Sequence, residues 1–339
     1  MPASDRTRRW RRNAVTTIPV AIVLLLVACQ PLGEGDATDG SAPAASGAGA
    51  ETGRLSIATG GTGGVYFPLG GGLADLISEN VEGYTATAEE TNASVDNMNL
   101  IGSGESDIAF VLGDTASDAV NGAGDFEGGA IEACTLGILY TNFTQLVASA
   151  DSAITTVADL AGKRVSLGEA GSGTEIIGLR ILEAAGIDPD ADLERAQLGV
   201  AETVDALRDG TLDAGFWSGG LPTGALVDYA STGDMVIVPT GEFAADLQGT
   251  YGEYYLESEI PAEAYEGQDA AIAVVGVPNV LVVSTSMDEG LQEQLTALLF
   301  EHKDDLVAVH PAAEELDQET AADVAFMDVC PGAQAFYGS

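Results

Sequence analysis

The sequence feature that most constrains the fold is a glycine-rich stretch, T-G-G-T-G-G-V-Y-F-P, at residues 59–68. It follows a short apolar run at 55–58 and precedes an apolar-periodic segment at 69–77, which predicts a strand, a turn and a helix. Glycine permits positive φ angles and a close approach to a ligand, and a new helix begins with unpaired N–H groups. Such a turn suits a carboxylate or a phosphate. A tight turn without a ligand fits this stretch equally well.

Predicted strands and helices alternate along the chain from residue 54. The strands at 54–58, 84–88, 108–112 and 135–140 are separated by helical segments at 69–80, 95–103 and 115–120. This order is typical of a mostly parallel sheet with helices on both faces. Ligands of such sheets gather beyond the C-terminal ends of the strands, where the glycine-rich turn also lies. We therefore predict an α/β fold.

A second unit with the same organisation begins near residue 145. The segment 156–168 leads to another glycine-rich turn, E-A-G-S-G-T, which opens a helix that runs to Ala185. Further strands are predicted at 194–198, 214–217, 235–238 and 279–284, and further helices at 203–208, 223–230, 288–303 and 320–327. Two α/β units, each with a glycine-rich helix start, predict two lobes that hold a ligand between them.

Charge excludes several classes of partner. The chain has 53 acidic residues against 12 lysines and arginines. A surface of this kind repels nucleic acid and anionic headgroups, because phosphate binding needs clustered basic residues. We interpret the acidic excess as a solvated surface suited to high salt, which screens the self-repulsion.

The N-terminus predicts export. A basic segment at 6–12 precedes an apolar run at 14–28, which is too short to span a bilayer comfortably. The run ends in L-V-A-C, which resembles a bacterial lipobox and predicts cleavage before Cys29 and lipidation of its thiol. An ordinary secretory signal is the alternative. Residues 30–53 have the composition of a disordered linker. The expected location is extracytoplasmic, anchored by lipid to the outer face of the cytoplasmic membrane.

Enzymatic chemistry finds little support in the sequence. The two histidines, His302 and His310, lie far along the chain from both glycine-rich turns, and neither zinc-ligand spacing nor a phosphate-binding lysine motif is present. We therefore expect no catalytic residue, no metal and no cofactor. With Cys29 lipidated, Cys134 and Cys330 remain, and an exported chain with two cysteines favours a disulfide. Two buried free thiols are the alternative.

Five motifs occur in a recognisable order. They are the stretch 57–68, T-N-A-S-V-D-N at 91–97, A-D-L-A-G-K-R-V-S-L-G with G-S-G-T at 158–174, L-D-A-G-F-W with G-G-L-P at 212–222, and V-C-P-G-A at 329–333. Together they resemble the TAXI class of TRAP-transporter solute receptors. Ala93 stands where that class usually has glycine, and Cys330 where it usually has histidine. The resemblance extends from about residue 55 to residue 333.

This resemblance implies a two-lobed, type II periplasmic-binding-protein-like fold, each lobe a mostly parallel sheet flanked by helices, with a hinge between them. Residues 54–143 and 246–339 would form the first lobe and 144–245 the second, after a signal segment at 1–29 and the linker at 30–53. The protein would close on a small organic anion (a dicarboxylate, a 2-oxoacid or a glutamate-like compound) and pass it to membrane permease subunits. It would be a monomer. A lipoprotein that senses its ligand for a signalling partner is the alternative.

The predicted ligand-binding residues supply neutral donors and glycine turns, which can hold a carboxylate without a basic side chain. They are Thr59, Thr62, Gly63, Tyr66, Ser94, Asn97, Asp114, Ser172, Gly173, Thr174, Trp217 and Pro222. Trp217 fits a cleft wall and ordinary core equally well. Asp114 would favour a ligand with an amine or hydroxyl, but a helix N-cap is its preferred interpretation.

Overall fold

The computed structural model describes residues 53–232 and 235–338. Cys29, the signal segment and almost all of the 30–53 linker lie outside the described residues. The strands are β1 Gly53–Ala58, β2 Tyr84–Glu89, β3 Ile108–Leu112, β4 Ala133–Ser149, β5 Arg164–Ser166, β6 Glu194–Ala196, β7 Ala214–Gly219, β8 Met235–Val238, β9 Leu256–Ile260 and β10 Ile272–Ser284. The helices are α1 Tyr66–Asn80, α2 Ser94–Ser103, α3 Gly113–Asn121, α4 Gly173–Ala184, α5 Val200–Arg208, α6 Gly224–Ala230, α7 Ala244–Thr250, α8 Glu289–Glu301, α9 Lys303–Val309 and α10 Pro331–Tyr337.

The strands form one mixed sheet in the order β2-β1-β3-β10-β4-β7-β5-β6, with β8 paired to β4 and β9 paired to β10. The predicted α/β class is therefore confirmed. Parallel pairing is found between β1 and its neighbours β2 and β3, and between β5 and its neighbours β6 and β7. The long strands β4 and β10 pair antiparallel with each other and with all their other neighbours.

These two long strands join two groups of strands. Residues 133–143 of β4 pair with β10, whereas residues 143–149 pair with β7 and β8. Residues 279–283 of β10 pair with β3, whereas residues 272–276 pair with β9. We call β1–β3 with their half of β4 and β10 the first strand group, and β5–β9 with the other half the second strand group.

Each group has its own apolar core. In the first, Ile57 and Leu73 pack with Leu136 and the helices α8 and α9. In the second, Phe216 packs with Ile177 on α4. Residues of α7, β9 and the start of β10 also pack in the second group, so the chain returns to the first group at about 277–279 rather than near residue 245. Apolar residues have no regular spacing in the segment 249–268. The sequence therefore does not indicate that this part of the chain packs in the second group.

The C-terminal segment closes the first group. Cys134 and Cys330 are joined in a disulfide, and the N–H of Cys330 donates to the carbonyl of Thr135 at 2.9 Å. The helix predicted at 320–327 is wrong, because these residues form turns and the last helix begins at Pro331. Proline is well suited to the first turn of a helix, since it lacks an N–H that would go unpaired there.

Candidate functional site

A cavity lies where the two strand groups meet. It contains about 470 Å³ of space outside protein atoms, part of it open to solvent. The first strand group contributes the turn before α1, the start of α2 and the end of β3. The second group contributes the turn before α4 and the end of β7. Strand β4, which belongs to both groups, crosses the cavity. The lining residues are Gly60, Gly61, Gly64, Val65, Tyr66, Ala93, Ser94, Leu112, Tyr140, Asn142, Glu169, Ser172, Gly173, Thr174, Trp217, Ser218 and Gly219.

The two sides of the cavity touch at the second glycine turn. The carbonyl of Gly171 accepts hydrogen bonds from the N–H groups of Val95 and Asp96, at 3.1 and 3.2 Å. A Cβ added at Gly173 would lie 2.5 Å from Cδ1 of Leu112 and 2.9 Å from Oγ of Ser94. Glycine is required there because a side chain would separate α4 from α2. The first N–H groups of α2 are consumed by this contact, so they are not free for a ligand.

Trp217 forms a wall of the cavity. A Cβ on Gly64 would lie 2.9 Å from Cη2 and Cζ2 of its ring, so the indole of the second group packs directly on the first glycine turn. The indole Nε1 donates to Oγ1 of Thr223 at 3.0 Å. None of Gly60, Gly61, Gly63 and Gly64 has a positive φ. These glycines serve close packing, whereas Gly168 and Gly171 do adopt positive φ angles.

Three residues of the lining each carry a buried polar atom without a partner. These atoms are the hydroxyls of Tyr140 and Ser218 and the amide oxygen of Asn142, which have no hydrogen-bond partner among the described residues. These side chains belong to residues that are 2%, 5% and 2% exposed. The other end of the Asn142 amide is engaged, because Nδ2 donates to the carbonyl of Ser218 at 3.1 Å. A buried polar atom without a partner costs about 1–3 kcal/mol. A bound ligand would recover this energy.

The start of α4 offers a site for a carboxylate. Oγ of Ser172 caps the helix by accepting from the N–H of Glu175 at 3.1 Å, and Oγ1 of Thr174 accepts from the N–H of Ser218 at 3.1 Å. The N–H groups of Gly173 and Thr174 belong to the first turn, which has no intrahelical acceptor for them. Both residues line the cavity. The positive end of a twelve-residue helix therefore faces the ligand space.

Glu169 is the one acidic side chain among the lining residues. Its carboxylate lies near the first glycine turn, where a Cβ on Gly61 would be 3.5 Å from Oε1. Burial raises the pKa of Glu169, and the nearby carboxylates of Glu202 and Glu90 raise it further. The lining contains no lysine, arginine or histidine.

Of the predicted ligand-binding residues, six line the cavity: Tyr66, Ser94, Ser172, Gly173, Thr174 and Trp217. Tyr66 points its hydroxyl at Oδ1 of Asn279, and burial raises the pKa of this tyrosine. Oγ of Ser94 accepts from the N–H of Leu112 at 3.1 Å. Both side chains therefore help to build the wall of the cavity.

The other six have different surroundings. Thr59 is fully buried, and its hydroxyl donates to the carbonyl of Glu89 at 2.6 Å. Asn97 donates to the carbonyls of Thr59 and Phe110, at 2.7 and 2.8 Å, and so ties α2 to β1 and β3. Gly63 packs against Val200, with a Cβ position 3.1 Å from its Cγ1. The two remaining neutral residues, Thr62 and Pro222, are exposed outside the cavity.

Asp114 lies in a buried ion cluster. The residue is 0% exposed, accepts from the hydroxyl of Tyr255 at 2.8 Å and lies 3.7 Å from Nη1 of Arg180. Nη2 of Arg180 donates to Asp118 at 2.5 Å. Burial raises the pKa of Asp114, although Arg180, Tyr255 and the N–H of Thr115 oppose this shift. The predicted N-cap role is wrong, since the N-cap of α3 is Leu112. Asp114 instead helps to join α3 to α4.

Sequence reasoning missed the residues that carry the partnerless atoms. Tyr140, Asn142 and Ser218 lie on buried strands rather than in glycine turns. Polar side chains within an otherwise apolar strand were the available signal for Asn142 and Ser218. Glu169 stands at the edge of the second glycine turn, next to residues that were predicted.

A model of the NMT1-like family matches residues 57–338. Among solved structures, MatC from Rhodopseudomonas palustris with bound malate has a TM-score of 0.56 at 13% identity, with 84% of this chain and 96% of that chain covered. The periplasmic aliphatic sulphonate binding protein SsuA from Escherichia coli has a TM-score of 0.47 at 17% identity, with 84% and 82% covered. The likeness to MatC shows a shared type II binding-protein fold.

Two features are absent from residues 53–232 and 235–338. None of the helices there is both long and apolar enough to cross a membrane. The same residues hold no cluster of three or more histidine, cysteine, aspartate or glutamate side chains arranged to bind a metal ion.

Proposed function

The chain belongs to the NMT1-like family of extracytoplasmic solute-binding proteins, and we propose that it is the receptor of a TRAP-type secondary transporter of the TAXI class. The five ordered motifs support this class. In this proposal the receptor is anchored through lipidated Cys29 and delivers a small organic acid to permease subunits in the same membrane. The ligand classes under consideration are dicarboxylates, 2-oxoacids and glutamate-like amino acids.

The observation that carries the proposal is the set of partnerless polar atoms on Tyr140, Asn142 and Ser218. A protein that catalysed no reaction and bound nothing would gain stability from apolar replacements at these positions, because each lone polar atom costs desolvation energy. A ligand with a carboxylate could accept from both hydroxyls and from the first N–H groups of α4. The cavity therefore suits the capture of a small polar molecule.

Closure of two lobes is the proposed mechanism of capture. The two strand groups would be the lobes, and the hinge would lie in β4 and β10, which cross from one group to the other at about 143 and 277–279. A ligand shifts such an equilibrium only when it binds the closed form more tightly than the open one. Ligand contacts to Tyr66 and Ser94 on one side and to Thr174 and Ser218 on the other would meet this requirement.

Calorimetric titration in high-salt buffer tests the receptor function. We expect the purified protein to bind at least one compound from a panel of dicarboxylates, 2-oxoacids and amino acids. Ser218→Ala and Tyr140→Phe should each weaken that binding about tenfold or more, because each removes a hydrogen bond to a charged group.

Ser231→Ala is the matched control, since the hydroxyl of Ser231 is on the surface and donates to the carbonyl of Asp228 at 2.8 Å. It should leave the affinity unchanged. Equal affinities in wild type, Ser218→Ala and Tyr140→Phe would show that the cavity is not the binding site.

A further inference from the structure

We propose that the ligand carries a protonated amino group that is recognised by Glu169, so that the receptor selects zwitterionic amino acids with uncharged side chains over dicarboxylates and 2-oxoacids. This inference rests on the proposed receptor function and names the ligand class of the same cavity. It is carried by the charges, by the hydrogen-bonding character of the partnerless atoms and by the apolar part of the lining.

The charge balance of the lining opposes a dianion. Glu169 supplies a negative charge, and no lining residue supplies a positive one. Beyond the lining, the ionisable groups that act on Glu169 are Glu202 on α5 and Glu90 after β2, which are both acidic. A dicarboxylate would enter with one carboxylate at the start of α4 and the other without a cation, and a buried charge without a partner is costly. An ammonium group would instead be attracted by all three carboxylates.

The Glu169 carboxylate is available for such a contact. It lines the cavity, and no side-chain or backbone donor within the described segments makes a hydrogen bond to it. Its own backbone carbonyl accepts from the N–H of Ser172, which holds Glu169 beside the start of α4. The side chain packs against Gly199, where a Cβ would collide with Oε1. Glycine at 199 therefore leaves the space that the carboxylate occupies.

Asn142 provides an independent sign of a donor on the ligand. Its Oδ1 is buried and partnerless, and an amide oxygen can only accept a hydrogen bond. Nδ2 is held by the carbonyl of Ser218, so exchange of the two amide ends would place two carbonyl oxygens together. A 2-oxoacid or a fully ionised dicarboxylate without a hydroxyl group, such as succinate, has no N–H or O–H group for this atom. An ammonium group has three.

The rest of the lining favours an uncharged side chain on the ligand. Val65, Ala93, Leu112 and Trp217 present aliphatic and aromatic surface to the cavity. Charged groups gain nothing from such surface, whereas apolar atoms gain about 25 cal/mol for each Å² removed from water. The ligand thus has a carboxylate for α4, an ammonium group for Glu169 and an apolar or small remainder.

Pairs of ligands that differ only in the amino group provide the test. Each uncharged L-amino acid is compared with the 2-oxoacid of the same carbon skeleton (L-valine with 3-methyl-2-oxobutanoate, for example), and succinate and 2-oxoglutarate complete the panel. We expect wild type to bind at least one amino acid at least tenfold more tightly than its 2-oxoacid partner. Glu169→Gln should lower that affinity about tenfold or more, the loss expected for a charge-assisted hydrogen bond.

Glu127→Gln is the matched control, because Glu127 is exposed and lies outside the lining, away from Glu169. Its effect on affinity should be less than threefold. The pH profile gives a second readout: wild-type affinity should fall as acid protonates Glu169, while Glu169→Gln should lose this part of the dependence. Circular dichroism verifies that each variant is folded.

The outcomes separate the inference from the receptor function. Preferred binding of a dicarboxylate or 2-oxoacid, or an unchanged amino acid affinity in folded Glu169→Gln, overturns the ammonium assignment and leaves the receptor function in place. Binding of no compound in the panel overturns both.

Discussion

Removal of the Arg180 guanidinium should lower the stability of the fold, because this side chain bridges the two strand groups. Arg180 belongs to α4 in the second strand group and contacts two carboxylates of α3 in the first group. Asp114 and Asp118 are 0% and 8% exposed, so water screens neither contact well. Burial lowers the pKa of Arg180, but Tyr255, Asp114 and Asp118 outweigh it and raise the pKa overall, so the side chain is charged.

Arg180→Met would remove the cation and keep most of the side-chain volume. Breaking a buried ion pair on one side costs about 3–5 kcal/mol. Asp114 would keep its hydrogen bonds from Tyr255 and from the N–H of Thr115, at 2.8 and 2.7 Å. We therefore expect the low end of the range, about 3 kcal/mol at pH 7. That is a large part of the roughly 5–15 kcal/mol by which most domains are stable.

The pH dependence of the variant has a definite sign. Without Arg180, the pKa of Asp114 rises further above its value in the unfolded chain, because burial then acts with less opposition. The native state then binds more protons than the unfolded state between the two pKa values. Stability consequently falls as pH rises through that window. The deficit of Arg180→Met should therefore shrink as the pH is lowered from 7 towards 5.

Urea unfolding followed by circular dichroism measures these differences. The matched control is Arg208→Met, because Arg208 and Asp205 form an exposed pair at 3.7 Å, a kind worth at most about 1 kcal/mol. A loss in Arg180→Met no larger than that of Arg208→Met would refute the reasoning. So would a deficit that grows on acidification.

Two further outcomes follow from packing and charge. Gly173→Ala should weaken ligand binding by disturbing the contact of α4 with α2 and β3, since its Cβ would lie 2.9 Å from Oγ of Ser94 and 2.5 Å from Cδ1 of Leu112. Gly178→Ala, with its nearest atom at 3.5 Å, is the control in the same titration. Sodium chloride should raise the thermal midpoint between 0.1 and 1 M, because it screens repulsion in a chain of formal net charge −41. Equal affinities of the two glycine variants, or a midpoint that falls with salt, would contradict these expectations.

Local signals were sufficient for the strand–turn–helix units. The turn before α4 has positive φ angles at Gly168 and Gly171. Glycine meets this requirement whatever the neighbours of the turn in the fold, so a local pattern is enough to predict it. The glycines at 60–64 were predicted to serve backbone conformation as well. They are required by neighbours from distant parts of the chain, such as Trp217 and Val200, which no local pattern reveals.

The antiparallel centre of the sheet could not be predicted from alternation alone. Strands β4 and β10 each extend through both groups, and each changes its pairing partner partway along its length. An apolar run has the same appearance in sequence whether its neighbours are parallel or antiparallel. For this reason the site residues on β4, Tyr140 and Asn142, were predicted only as strand or connecting segment.

Backbone groups and side chains recognise different parts of a ligand. For this reason the glycine-turn motifs alone and the side chains of the cavity favour different ligands. Glycine turns and helix N-termini provide backbone N–H groups, which recognise a carboxylate in any ligand that has one. Selection among carboxylates depends on side chains that face the rest of the molecule, and these are Glu169, Asn142 and the apolar wall. In our proposal, a ligand with a cationic donor satisfies Glu169 and the Asn142 oxygen together. Under the proposed function, the turns would account for binding of an organic acid, while the strands and Glu169 would determine which one.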